Sequence, residues 1–264
     1  MMPWAAYLGI GALVGFAAGL LGIGGGVVMV PLLVLVFTGQ GLPPEHVLHV
    51  ALGTAMAAMV FTSLASMRAH HAHGAVDWRI ARAMSPGILA GSFVAALLAG
   101  FIATRPLALL FTALVFYAAT QILLDLKPPT TRELPGSVGI FGAGAVIGAV
   151  SSLVAAGGAF LTIPFLTWCK VPLRRAIGTA AANGLPIALA GTAGYILHGM
   201  RVPGLPAPGI GYVYLPALGL VVATSMLAAP LGARLAHRLP IKQLRTVFAL
   251  LLYGFAVRML VSVW

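Results

Sequence analysis

The glycines are the residues of this chain best placed to do chemistry. Gly22, Gly24, Gly25 and Gly26 open the apolar run 27–38, and Gly157 and Gly158 open the run 159–169. Consecutive glycines at a helix start leave backbone N–H groups that no side chain covers. Together with the helix dipole, such groups favour an anion. Acidic chemistry has little material: Glu45, Asp77, Asp125 and Glu133 are the four carboxylates, and none sits inside a long apolar stretch. No paired-carboxylate, Ser-His-Asp or Cys-His spacing suited to catalysis occurs, so the expectation is not an enzyme. The reading is a small-oxyanion site built from two helix N-termini, provided that both glycine tips reach one point.

Hydroxyls and amides inside apolar runs come next. Thr54 and Thr179 occupy matching sequence contexts, and Asn183 stands four residues after Thr179, on the same face of a helix. Pro186 would kink that helix and free a carbonyl nearby. An amide within a membrane helix belongs to a site or to an interhelical hydrogen bond, and the sequence leaves both open. His70, His71 and His73 resemble a metal cluster. They stand beside Arg68 without cysteine and read better as a solvated connector, so no metal and no cofactor is expected. His73 and His198 are also sequence-related and are candidate gate residues. The single cysteine, Cys169, excludes an intramolecular disulfide.

These residues are positioned by a repeat. A shift of 133 residues superimposes Gly11 on Gly144, Gly15 on Gly148, Gly24 on Gly157, Gly25 on Gly158 and Pro31 on Pro164. A shift of 125 then pairs Gly53-Thr54 with Gly178-Thr179 and His73-Gly74 with His198-Gly199. Each copy reads as a glycine-broken helix hairpin followed by three helices. The pairs Gly11/Gly15 and Gly144/Gly148 read as helix-packing positions. The boundaries are 1–126 for the first transmembrane repeat, 127–136 for a polar, proline-rich cytoplasmic linker and 137–264 for the second.

Composition sets the environment. The chain is 61% hydrophobic and 7% charged with mean hydropathy +1.06, far from a soluble surface. The fold class expected is an all-α integral membrane bundle of two inverted repeats, with eight to ten membrane segments. The run 3–38 would span about 54 Å as one helix at ~1.5 Å per residue, too long for one crossing, so it must fold back. With hairpins, Arg68, Arg79, Arg82, Lys127, Arg132, Lys170, Arg174, Arg175, Arg234, Arg238, Lys242 and Arg245 share one face, and only Arg105, Arg201 and Arg258 fall on the other. The positive-inside rule makes the first face cytoplasmic and both termini extracytoplasmic. These connector charges also explain the net charge of +11 without nucleic acid. The N-terminal stretch has no basic region before its apolar run and reads as a first membrane segment.

The segments GLLGIGGGVVMVPLL at 19–33, LGTAMAAMVFTSL at 52–64, HGAVDWR at 73–79 and IGTAAANGLPIALAGTAGY at 177–195 resemble the TauE/SafE sulfite exporters, and the resemblance extends over about residues 7–262. The second glycine motif departs from the first: Ala155 stands at the place of Gly22, Ala156 at that of Ile23 and Ala159 at that of Gly26. The resemblance implies a secondary transporter in the bacterial inner membrane. It would export a small sulfur-containing or carboxylate anion such as sulfite, sulfoacetate or a sulfonate, by alternating access of the two repeats. A passive anion channel and an integral membrane enzyme are the alternatives. Partners are the anion and membrane lipids, with oligomeric state open.

Overall fold

The structure is a computed structural model that describes residues 4–21, 25–124, 133–236 and 241–263. Ten α-helices follow one another among the described residues: α1 (Trp4–Leu21), α2 (Gly26–Gly39), α3 (Pro44–Ala72), α4 (Trp78–Ala99), α5 (Thr104–Leu124), α6 (Ser137–Leu153), α7 (Ala159–Trp168), α8 (Leu173–Gly199), α9 (Leu215–Ala236) and α10 (Ile241–Val263). A two-stranded antiparallel hairpin, β1 (Gly209–Ile210) and β2 (Val213–Tyr214), precedes α9. The fold is that of an all-α polytopic membrane protein. Helices α3, α4, α5 and α8 are each long and apolar enough to cross a bilayer. Leu98, Leu124, Leu227 and Val247 lie exposed on the bundle surface, as lipid contact requires.

Helices α2 and α7 have 14 and 10 residues. At ~1.5 Å per residue they reach about 21 and 15 Å, short of the roughly 30 Å hydrocarbon core. Each is the return limb of a hairpin. Tyr7 near the start of α1 hydrogen-bonds Gln40 just beyond α2, through its hydroxyl and the amide (2.6–3.0 Å), so the open ends of this hairpin meet. The tips of the two hairpins meet inside the bundle: a β-carbon at Gly26 would collide with the Ala155 carbonyl oxygen and lie 2.7 Å from Met59 Sδ.

The repeats are interlocked. Helix α1 packs mainly on α9, and α6 packs mainly on α4. The four packing glycines account for both contacts in the same way. Gly11 faces Val221 and Gly15 faces Ser225, while Gly144 faces Met84 and Ile88 and Gly148 faces Ile88 and Ser92. Helices α4 and α9 start 137 residues apart, and Met84 and Ile88 are the 137-residue equivalents of Val221 and Ser225. The packing expectation for these glycines therefore holds, and the contacts obey the repeat. Gly15→Leu is expected to lower the thermal midpoint of detergent-purified protein, because the new side chain meets Ser225 backbone that cannot yield; overpacking typically costs ~1–3 kcal/mol. Gly9→Leu, which has nothing within 4 Å, is the control that keeps the midpoint.

The central pair is α3 and α8, which run antiparallel. His49 near the start of α3 and His198 near the end of α8 flank the same ring, Tyr212. At the opposite end, Arg174 at the start of α8 donates to the His73 carbonyl just after α3 (3.1 Å). Equivalent helices that run in opposite directions are what inverted repeats require.

Candidate functional site at the meeting hairpin tips

The second tip is built by two left-handed residues. Helix α6 ends at Leu153, Ala155 takes φ +48°, and Gly158 takes φ +71° before α7 begins. The Ala156 N–H is tied back to the Ser151 carbonyl (2.9 Å). The first amides of α7 to bond within this turn are Leu161 and Thr162, both to the Gly158 carbonyl (3.2 and 2.7 Å). The amides before them are the orphan donors of a helix N-terminus.

Polar side chains gather at this end and lack partners. Thr162 Oγ1 and Ser151 Oγ lie 3.5 and 3.9 Å from the place that a β-carbon of Gly158 would take. Both residues are fully buried, and neither hydroxyl has a hydrogen-bond partner. Asn183 is fully buried on α8, one turn before Ile187, whose Cδ1 packs over Gly158 (2.5 Å from that same place). Its Nδ2 donates only to Met84 Sδ (3.5 Å), and its Oδ1 has no partner. Ser63 on α3 closes the far side: a β-carbon at Gly184 would lie 3.0 Å from Ser63 Oγ and 3.3 Å from the Gly157 carbonyl. Buried hydroxyls and amides are nearly always bonded in folded proteins, so the unpartnered groups near this helix start make it a candidate binding place. Orphan N–H donors, hydroxyls and an amide, without a carboxylate, suit an anion that accepts hydrogen bonds on several oxygens.

The first tip is different. Gly25 precedes α2 with φ −68°, and its packing neighbour is Val14. Under the two shifts, Ser151, Thr162 and Asn183 correspond to Ala18, Met29 and Ala58. The polar set thus belongs to the second tip, while Gly26 of the first packs on Ala155. Gly22 and Gly24 lie outside the described residues.

Thr54 and Thr179 stand elsewhere, in matched cross-ties. Thr54 Oγ1 accepts the Tyr214 N–H and Thr179 Oγ1 accepts the Asp77 N–H, each at 3.0 Å. The neighbouring glycines complete each notch, Gly53 against the Tyr212 carbonyl and Gly178 against that of Ala75. Each Gly-Thr pair therefore seats the chain that leads into a helix of the other repeat, α9 or α4. Asp77 also caps α4, its Oδ1 accepting from the Arg79 and Ile80 amides (3.1 and 3.2 Å). Of the gate candidates, His73 is exposed just beyond α3, and His198 lies at the opposite end against Phe101 and Tyr212, with ring centroids 4.5 and 5.8 Å away.

Sequence reading missed Ser151, Thr162 and Ser63. The signal was present as a mismatch: Ser151 and Thr162 of the second repeat stand where the first carries Ala18 and Met29, and Ser63 of the first stands where the second carries Ala188. Matching positions drew attention because they matched, and these did not.

A polytopic membrane protein with two interlocked repeats and a buried, carboxylate-free polar niche at a helix start belongs to the transporter class in architecture. Comparison with known proteins agrees. A family described as "Sulfite exporter TauE/SafE" matches residues 7–259, and the chain belongs to that family. It is 36% identical to a probable membrane transporter protein of Haemophilus influenzae over 95% of both chains. It is 28% identical to the Bacillus subtilis probable membrane transporter protein YdhB, over 86% of this chain and 88% of the relative. A third probable membrane transporter protein, from Methanocaldococcus jannaschii, is 25% identical over 92% of this chain and 90% of its own. No solved structure matches. These likenesses support a multi-pass membrane transporter rather than an enzyme.

Proposed function

We propose that the chain is a secondary transporter of the bacterial inner membrane that exports a small sulfur-containing or carboxylate anion, such as sulfite, sulfoacetate or a sulfonate. The observation that carries this reading is the niche at the start of α7, where orphan amides and the unpartnered hydroxyls of Ser151 and Thr162 surround Gly158, with Asn183, whose Oδ1 has no partner, buried one turn from the Ile187 that covers Gly158. In this conformation the niche is shut: Ala155, Ala156 and the three polar residues are all fully buried. A shut site suits an occluded state of alternating access better than an open pore. Gly157 and Gly158 supply backbone to the anion, and Gly25 and Gly26 hold the facing tip against it.

The test is counterflow and net flux in proteoliposomes with sulfite, sulfoacetate, alkyl sulfonates and small carboxylates. Saturable exchange of a sulfur oxyanion or sulfonate is expected. Conductive flux that does not saturate would replace the transporter with a channel, and no flux of any anion would remove the reading.

Topology follows from the charges. Arg68, Arg79, Arg174 and Arg175 gather at the end of the bundle where α3 ends and α8 begins. That end is expected in the cytoplasm, with both termini outside. Impermeant labelling of cysteines placed at Glu133 and at Gly204 in inverted and right-side-out vesicles should give opposite patterns. Labelling of both from one side would overturn the orientation.

A further inference from the structure

The α3 start, the α4 end and the β-hairpin enclose a histidine that the anion niche does not use. His49 is 2% exposed. Its Nε2 lies 3.1 Å from the Ala99 carbonyl oxygen and 3.0 Å from that of Ile102. Carbonyls only accept, so Nε2 carries the proton in neutral His49, and Nδ1 holds a lone pair. That lone pair is buried and has no donor. The Tyr212 ring stacks on the imidazole at 5.2 Å and 28°. Tyr212 is itself 1% exposed, and the His198 ring covers its vicinity from α8 at 5.8 Å and 11°. The hairpin that carries Tyr212 is fastened below by Thr54 and Gly53, and Tyr214 packs on Phe37 (5.9 Å) and Tyr7 (6.3 Å). The 137-residue equivalent of Tyr212 at the other end of the bundle is Ala75, so the matching position there carries no aromatic ring.

We propose that His49 is the proton-binding site of the transporter and that protonation of its Nδ1 unseats the Tyr212 hairpin, opening this end of the bundle. The incoming proton has one place to bind, because Nε2 is already protonated. The charge is tolerated by the carbonyls at the end of α4, where a helix C-terminus favours a cation. The new Nδ1–H can reach only the Glu45 carbonyl one turn back on its own helix, and the imidazolium as a whole is cut off from water at 2% exposure. Movement of the hairpin brings it water. The groups that face His49 are few. Its own helix supplies His46, half-buried one turn nearer the surface, and exposed Glu45. The end of α4 supplies carbonyls alone, the hairpin supplies Tyr212, and α8 supplies Tyr195 and His198, with Arg201 following. Arg105 stands at the start of α5. Glu45 is the single carboxylate of this set, so no buried acid competes for the proton.

The inference rests on the transporter reading, and its test separates the two. Spin labels at Ile210→Cys on the hairpin and Phe101→Cys after α4, with Cys169→Ser, report hairpin seating without any transport. Their distance is expected to lengthen between about pH 8 and pH 5.5, the range of histidine, and to stay short in His49→Gln. Tyr212→Ala should give the long distance at both pH values. In proteoliposomes, a pH gradient should drive sulfoacetate, whose charge is constant over this range. His49→Gln should lose that driven flux and keep exchange. A pH-dependent distance in His49→Gln equal to that of the unsubstituted chain, or a distance that ignores pH altogether, would overturn the proposal. A pH-dependent distance without exchange of any anion would leave the His49 site standing and remove the transporter reading.

Discussion

Thr162→Val should weaken anion binding by about 5- to 150-fold and, at the same time, make the empty protein more stable. Both effects come from one hydroxyl. Thr162 Oγ1 is fully buried without a partner. An unpaired buried polar group costs roughly 1–3 kcal/mol, and that cost is recovered when a ligand bonds it. Valine keeps the shape and removes both the cost and the bond. A hydroxyl that merely packed would show no loss of binding, and one that bonded unseen protein atoms would show lower stability. Ser151→Ala should act in the same direction. Thermal midpoints with and without sulfite, beside exchange rates in vesicles, read both signs together. Retained affinity with unchanged stability in both variants would move the site away from the start of α7.

The second large effect is at the meeting of the tips. Gly26→Leu should abolish transport, and even Gly26→Ala should impair it severely. A β-carbon there meets the Ala155 carbonyl, backbone that cannot rotate aside, and Ala155 is held at φ +48° by the turn it closes. Gly25→Ala should be milder, because the neighbour it meets first is the Val14 side chain. Gly158 is strict for another reason: at φ +71° a side chain is strained whatever the space, so Gly158→Ala should also lose activity. Exchange in purified, monodisperse variants checks the order. Equal activity of Gly25→Ala and Gly26→Ala would mean that the tips need not touch for transport.

The architecture was largely legible because membrane constraints are severe. A run of 36 apolar residues cannot be one crossing, and the glycine break in 3–38 is where α1 ends and α2 begins. The repeat was legible through Gly11, Gly15 and their mates, since close helix contact leaves few alternatives to glycine. Which helices those glycines touch was not legible. Spacing says that a face is small, and it does not say that the partner is the fourth helix of the other repeat. Thr54 and Thr179 carried the opposite lesson. Their repetition reflects a cross-tie that each copy needs, whereas the niche at Thr162 and Asn183 arises where the copies diverge. His49 stayed hidden because its i,i+3 spacing to His46 points to no partner; only the carbonyls of Ala99 and Ile102, 50 and 53 residues away, define its proton.

The exchange of first helices between repeats also sets a schedule for the growing chain. Helix α1 leaves the ribosome with its glycine face bare, and α9, which covers Gly11 and Gly15, is made some 200 residues later. At ~5–20 residues per second that is a wait of about 10–40 s. Helix α6 faces no such delay, because α4 is already made when it emerges. During the wait α1 is a small-residue helix surface in search of a neighbour, the kind of surface that quality-control proteases and insertion chaperones sample. A chain cut short before α9 keeps that surface open for good, so a nonsense mutation late in the sequence should act as a folding defect of the first helix.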